Sequence, residues 1–253
     1  MKYTGLIGND IQYSRSPEIH NSYYEKYNIP LYYKIIDLKK DELLNFIKNV
    51  RLYNIVGFNV TIPYKRQIIE FLNEIEYPAN KIKSVNTVVV GKDKLIGFNT
   101  DYYGFIQSLR YNKVSIKNNR ALIIGSGGAA RSIYYALLDL KIQSIDILVR
   151  NVSNIEYEFD KVDKILSTKG ENDLSNYDLI INCTPIGGEN YKNDSLITLK
   201  NTKKGLLVYD LNYSPKKSRL LKEAENLGAN VMNGELMLKL QAYKAIEIWR
   251  VYI

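Results

Sequence analysis

Residues 120–131 read RALIIGSGGAAR, a short apolar run that breaks into glycines and resumes as small and polar residues with helical spacing. A strand that must turn at once into a helix, with glycine at the bend and small residues where helix meets sheet, is the signature of a dinucleotide-binding βαβ unit. Gly125 would let the strand turn tightly, Gly127 would let backbone approach a pyrophosphate, and Gly128, Ala129 and Ala130 would let the helix sit close to the sheet. The helix N-terminus would then offer its free N–H groups and positive dipole end to phosphate oxygens. The spacing is G-S-G-G-A-A rather than strict G-x-G-x-x-G, and a purely structural glycine turn is the competing reading. The cofactor expectation therefore covers Gly125, Ser126, Gly127, Gly128 and Ala129. Position matters as much as pattern. The turn lies almost halfway along 253 residues, so enough chain precedes it for a separate domain that brings a substrate to the cofactor.

Composition narrows the class of protein. Hydrophobic content of 45% and charged content of 25% are ordinary for a globular chain of one large or two modest domains. The net charge of +8 reads either as a Lys-rich compositional bias or as attraction for small anions such as phosphates and carboxylates. The lysines are scattered and no recognition motif is present, which argues against nucleic acid. With one Cys (Cys183) and one His (His20), neither an internal disulfide nor a His/Cys metal cluster can form. No metal ligand set is expected. The absence of an apolar signal core or an 18-residue apolar run points to the cytoplasm rather than a membrane.

Periodicity gives an α/β alternation. Strands are expected at 4–7, 31–36, 55–60, 85–90 and 94–98, with helices at 17–27, 39–49, 65–73 and 101–111. In the second half, strands are expected at 121–124, 145–149, 179–182, 206–209 and 230–232, with helices at 129–140 and 216–227. The fully apolar strand centres there predict a parallel sheet covered on both faces. Residues 151–170 carry no clear pattern beyond a possible short helix. The final stretch, GELMLKLQAYKAIEIW, reads as an amphipathic helix with Leu236, Met237, Leu240, Ile246 and Trp249 as its apolar stripe.

The end of the second strand of the βαβ unit distinguishes the two nicotinamide cofactors. An NAD site places Asp or Glu there to hold the ribose 2′-OH. This chain ends the strand at ILVRN: Asp146 comes too early, and Arg150 stands where a guanidinium fork could face a 2′-phosphate. The expectation is NADP.

Candidates for chemistry cluster upstream, as polar interruptions of apolar runs: S14-R-S16, N59-V-T61-I-P-Y-K65, S84-V-N86-T87 and N99-T100-D101. Ser, Thr, Asn and Lys at strand ends suit a polyhydroxylated carboxylate. A His–Asp pair would require His20, which is placed to cap or pack a helix. Tyr/Lys pairs four apart occur at 77/81, 157/161 and 213/217, but a chain with 22 Tyr and many Lys produces such spacings by chance. Lys65 with Asp101 is the better proton-transfer candidate, since an Asp can orient a Lys and stabilise its charged form. A surface lysine is the bland alternative.

Taken together and in order, GLIGNDIQYSRSPEIHN (Gly5 to Asn21), GFNVTIPYK (Gly57 to Lys65), SVNTV, GFNTDYYG, GSGGAAR, NCTPIG (Asn182 to Gly187), YDLNYSP (Tyr209 to Pro215) and NGELMLKLQAYKAIEIW resemble the shikimate dehydrogenase family over essentially the whole chain. The resemblance implies an α/β fold of two domains. A substrate and catalytic domain would comprise 1–102 with 234–253, and a Rossmann-like NADP-binding domain 103–233, the C-terminal helix returning to the first domain. It implies reversible, NADPH-dependent reduction of 3-dehydroshikimate to shikimate in aromatic amino-acid (chorismate) synthesis, by a cytoplasmic monomer or homodimer. Carried over residue by residue, Ser14 and Ser16 bind the substrate carboxylate, Thr61, Asn86 and Gln241 contact the substrate, and Lys65 and Asp101 are the catalytic pair. Tyr213 and Gly234 border substrate and nicotinamide, with Met237 nearby. Thr184 and Arg150 join the glycine turn at the cofactor, and Asn59 supports the strand-end motif.

The chain departs from the family pattern in two places. The usual I-G-A-V-N-T reads Ile82-Lys83-Ser84-Val85-Asn86-Thr87, which opens the turn at Lys83 to reshaping. The usual N-R-T reads Val149-Arg150-Asn151, and a second basic residue is replaced by Asn154. No acidic residue replaces them, so NADP stays favoured. The alternatives are a quinate/shikimate dehydrogenase with relaxed cofactor use and a non-catalytic nucleotide sensor.

Overall fold

The computed structural model describes residues 1–155, 159–170 and 173–252. The chain forms two compact units, Met1–Gly104 with Lys239–Ile253, and Phe105–Leu238.

The first unit is built on a mixed six-stranded sheet. Strands β1 (Lys2–Gly8), β2 (Leu31–Asp37) and β3 (Ile55–Val60) run parallel, and β4 (Glu74–Ile75), β5 (Thr87–Val90) and β6 (Leu95–Phe98) complete the order β2-β1-β3-β5-β6-β4. Side-chain alternation feeds two cores. Ile7, Phe58 and Val88 pack on one face with helix α2 (Leu43–Asn49), and Leu6, Tyr33 and Val89 pack on the other with Tyr24 of helix α1 (Ser16–Lys26). Trp249, fully buried, belongs to that second core and comes from the C-terminal helix.

The topology brings the polar interruptions together. The ends of β1, β3 and β6 and the beginning of antiparallel β5 lie along one edge, as the pairings Ile7↔Val60, Asn59↔Thr87 and Thr87↔Phe98 show. The loops after β1, β3 and β6 and the segment before β5 therefore converge there.

Three local features bear on the sequence expectation. Residues 65–73 form a 3-10 turn at Gln67–Phe71 instead of an α-helix. Ile68 N–H makes one i→i−4 bond to the Tyr64 carbonyl (2.9 Å), but the Lys65 carbonyl accepts Val85 N–H at 2.8 Å and Ile69 N–H bonds back to Arg66, so the i→i−4 ladder does not continue. Helix α2 begins only at Leu43. Helix α3 (Ala79–Ile82) ends on Lys83 in the left-handed region, φ +52°, so the tight turn is kept rather than reshaped.

The second unit carries the expected parallel sheet. Its strands are β7 (Arg120–Ile124), β8 (Ser144–Val149), β9 (Lys164–Ser167), β10 (Leu179–Asn182), β11 (Leu207–Asp210) and β12 (Asn230–Asn233), in the order β12-β11-β10-β7-β8-β9. This doubly wound order reverses at β7, the usual position of a nucleotide crevice. Strand β9 falls within 151–170, which also holds a 3-10 turn at Val152–Asn154; residues 156–158 of that stretch lie outside the described residues. Helices α5 (Gly128–Asp139) and α6 (Arg219–Asn226) cover the sheet, and α4 (Thr100–Tyr111) and α7 (Glu235–Tyr252) carry the chain between the units. Asp146 is fully buried, accepting from Arg120 Nη2 (2.8 Å) and Tyr177 OH (2.5 Å). It thus braces the strand beginnings, at the opposite edge from the glycine turn.

Candidate functional site

At the convergent edge of the first unit, Lys65 Nζ donates to Asp101 Oδ2 at 2.6 Å. The other carboxylate oxygen, Asp101 Oδ1, accepts from Asn86 Nδ2 at 2.9 Å. Asn86 is fixed in turn, since its Oδ1 accepts Thr100 N–H (2.7 Å). Gln241 Oε1 accepts from Thr100 Oγ1 (3.1 Å) and Asn86 Nδ2 (3.5 Å), which closes the group with a residue from the far end of the chain. Asp101, Asn86, Thr100 and Gln241 are buried, while the Lys65 side chain keeps 16% of its surface exposed. A lysine reachable from solvent, with its ammonium oriented by a carboxylate that a network holds rigid, is an arrangement able to exchange a proton with a bound molecule.

Further hydrogen bonds behind this cluster set its position. Asn59 Nδ2 donates to the Asn86 carbonyl (3.1 Å) and Thr87 Oγ1 (2.9 Å), and Asn59 Oδ1 accepts from Tyr33 OH (2.8 Å). Burial pushes the Tyr33 hydroxyl pKa well above its ordinary value, so it remains a donor. Sequence reading singled out Asn59 but not Tyr33. Nothing local marks a tyrosine on β2 as a partner of β3, and only the sheet brings them together.

Ser14 and Ser16 form a pair at the same edge. Ser14 Oγ donates to Ser16 Oγ (3.1 Å) and accepts Ser16 N–H (3.2 Å). Their loop is pinned by Asp37, whose oxygens accept Asp10 N–H (2.8 Å) and Ile11 N–H (3.2 Å), and by the buried Ile11 side chain. Thr61 follows β3, and its methyl packs on Gly8, where an added Cβ would lie 2.6 Å away. His20 takes no part in the cluster. It stacks on Tyr33 at 3.8 Å, its Nδ1–H donates to the Ser16 carbonyl (2.9 Å), and burial lowers its pKa to about 3.

In the second unit the glycine turn fits a dinucleotide. Gly125 takes φ +105° and its N–H bonds to Leu148 O at 2.8 Å. Gly127, the N-cap of α5, provides no side-chain cap, and a Cβ there would meet nothing within 4 Å. The helix N-terminus therefore faces open space that an anion can fill. Ser126, Gly128 and Ala129 are partly exposed beside it. Arg150 is exposed at the end of β8, and Asn151 Oδ1 accepts Ser153 N–H (3.1 Å) and Oγ–H (2.6 Å). Thr184 packs its methyl on Gly125, 2.8 Å from where a Cβ would stand. Gly234 admits no side chain, because a Cβ would lie 1.9 Å from Leu211 O. Met237 is buried and Tyr213 partly buried.

Residues 6–88 match the model of the shikimate dehydrogenase substrate binding domain. The chain is 58% identical to the shikimate dehydrogenase (NADP(+)) of Clostridium botulinum (strain 657 / Type Ba4) over 249 residues, 98% of this chain and 96% of that protein. Among solved structures it is similar to shikimate dehydrogenase 1 from Peptoclostridium difficile, with TM-score 0.91 and 28% identity over 99% of this chain and 92% of that one. It is also similar to the shikimate 5-dehydrogenase from Thermus thermophilus solved in complex with NADP(H) and shikimate, with TM-score 0.87 and 27% identity over 98% and 93% of the two chains. The chain belongs to the shikimate dehydrogenase family.

Proposed function

We propose that this protein catalyses the reversible, NADP-dependent interconversion of 3-dehydroshikimate and shikimate in aromatic amino-acid synthesis. The observation that carries the reading is the Lys65–Asp101 pair, held by Asn86, Thr100 and Gln241. A nucleotide sensor has no use for an oriented proton donor, so the pair speaks against that alternative. Membership of the family and its NADP-dependent relatives support the cofactor.

When bound, NADPH supplies a hydride to the substrate carbonyl carbon. In that direction Lys65 Nζ gives a proton to the carbonyl oxygen as charge builds on it, and in the reverse direction it takes the proton from the hydroxyl. Asp101 fixes the ammonium through Oδ2, and Asn86 keeps Asp101 from rotating by holding Oδ1. The Ser14 and Ser16 hydroxyls receive the substrate carboxylate, and Thr61, Asn86 and Gln241 meet its ring substituents. Tyr213 also borders the substrate. Gly125 to Ala129 receive the pyrophosphate, Arg150 the 2′-phosphate, and Thr184, Gly234 and Met237 flank the nicotinamide. No helix among the described residues is long and apolar enough to cross a membrane. The single cysteine suits a reducing cytoplasm, and we place the enzyme there as a monomer or homodimer.

Lys65→Ala tests the reading. Turnover of 3-dehydroshikimate, followed by NADPH absorbance, is expected to fall on the order of a thousand-fold, the usual worth of a positioned acid–base group. NADPH affinity should stay unchanged. Turnover near wild type would overturn the assignment.

A further inference from the structure

Two sequence blocks, NCTPIGG (182–188) and YDLNYSP (209–215), remain without a function beyond the residues Thr184 and Tyr213. The sheet joins them. Asn182 at the end of β10 is the register partner of Asp210 at the end of β11 and of Ile124, the residue before the glycine turn. Asp210 is fully buried and has no salt-bridge partner among the described residues; its donors are neutral. Oδ1 accepts from Asn182 Nδ2 (3.0 Å), Asn212 N–H (3.0 Å) and Asn212 Nδ2 (2.9 Å), and Oδ2 accepts from Ser218 Oγ (2.5 Å).

This hub controls the loop after β10. Asn182 Oδ1 accepts both Thr184 N–H (3.1 Å) and Thr184 Oγ1–H (2.7 Å). Asn182 Nδ2 and Asn212 Nδ2 both reach the Ile186 carbonyl (2.9 and 3.2 Å), and Asn212 Nδ2 also reaches the Thr184 carbonyl (3.0 Å). The two glycines complete the fit. A Cβ at Gly188 would lie 2.5 Å from Asn212 Oδ1, and Gly187 takes φ +90° beside Asp210 Oδ2. The Thr184 hydroxyl hydrogen is committed to Asn182, so Thr184 presents its methyl to the glycine turn.

We infer that Asn182, anchored by Asp210, is a positioning residue of the cofactor site. Its carboxamide sets Thr184 against Gly125 before any nucleotide arrives, so binding need not order the loop. Holding a loop in its bound geometry raises affinity by removing that ordering cost. The inference rests on the assignment of this turn to NADP.

The test measures binding rather than turnover, by titrating NADPH against the full chain and following nucleotide fluorescence. Asn182→Ala is expected to raise the NADPH Kd about ten-fold, the loss of a buried hydrogen-bond hub. Thr184→Val, which keeps the shape and removes only the hydroxyl, should raise it about three-fold and leaves the strand core intact should Asn182→Ala fold poorly. Both variants remove the Thr184 Oγ1–Asn182 Oδ1 bond, while Thr184→Val also removes the acceptor of Ile186 N–H (3.3 Å), so the double variant should fall short of the product of the two single effects. Shikimate affinity should stay within about two-fold in all three. NADPH Kd within about two-fold of wild type in both single variants, or effects that multiply, would overturn the positioning role while leaving the NADP assignment standing. Failure of the wild-type chain to bind NADPH would overturn that assignment itself.

Discussion

Lys83 sits at the C-cap of α3 with φ +52°, its N–H bonded to the Ala79 carbonyl at 2.8 Å. A side chain in the left-handed region costs roughly 1 kcal/mol that glycine avoids. The residues that matter chemically come next, and they are held independently of the Lys83 side chain, which is exposed. Ser84 O accepts Asn99 Nδ2 (2.9 Å) and Val85 N–H bonds to Lys65 O (2.8 Å). Lys83→Gly is therefore expected to raise unfolding stability by about 0.5–1 kcal/mol in urea titration, with kcat unchanged. A loss of stability would show that the lysine side chain makes a contribution larger than its backbone cost. This residue also shows a limit of reading sequence alone. The Lys-for-Gly exchange was visible, but whether the turn would move or bear the strain depended on hydrogen bonds made by Lys65 and Asn99, which are remote in sequence.

Among the elements, α7 shows how a polar residue of the site depends on an apolar one two turns away. Trp249 lies flat enough on β3 that a Cβ on Gly57 would come within 2.2 Å of its Nε1, which donates to Val88 O at 3.0 Å. That anchorage carries Gln241 to Thr100 and Asn86. Gly57→Ala forces the indole off the sheet, and overpacking of this kind costs about 1–3 kcal/mol. The variant should lose that much in denaturant and also show a several-fold higher KM for shikimate, with NADP KM unchanged. A loss of stability without any change in the shikimate KM would separate the anchor from the site. The sequence stripe proposed for α7 caught Met237, Ile246 and Trp249. It missed Gln241, Ala242 and Ala245, which are also buried, because a hydrophobic pattern gives no weight to a small residue or to a polar one that is buried with partners. Strands β4 and β9 were missed for a related reason. β4 has two residues, and β9 is an edge strand with exposed Lys164 and Ile165, so neither carries the apolar run of the central strands.

At the scale of the whole molecule, the parallel order of the second sheet and the convergence of polar strand ends in the first were legible because strands β1, β3, β7, β8 and β10 are apolar runs punctuated by glycine or polar residues. The hydrogen-bond networks joining those ends were not legible, since they depend on register. The same burial that makes the first unit's core gives the protein a pH limit through its single histidine. His20 is fully buried between Tyr33 and Trp249, and desolvation lowers its pKa to about 3, partly offset by its bond to the Ser16 carbonyl. In the unfolded chain it would titrate near 6.5. Above that pH the ring is neutral in both states. Below it, the unfolded state takes up a proton that the folded state refuses, so stability falls as pH falls from 6.5 toward 3. Between about pH 7.5 and 5 the His20 linkage alone amounts to about 2 kcal/mol. Urea unfolding at those two pH values should show this loss in the wild-type chain. His20→Phe, which keeps the stack on Tyr33 and has no proton to bind, should show little of it. The imidazole proton resonances, coming from one residue only, should not shift across that same pH interval in the folded protein. A histidine that titrates near 6.5 in the fold, or equal pH slopes in the two proteins, would mean that His20 reaches water and that the aromatic core of the first unit is looser than its packing indicates.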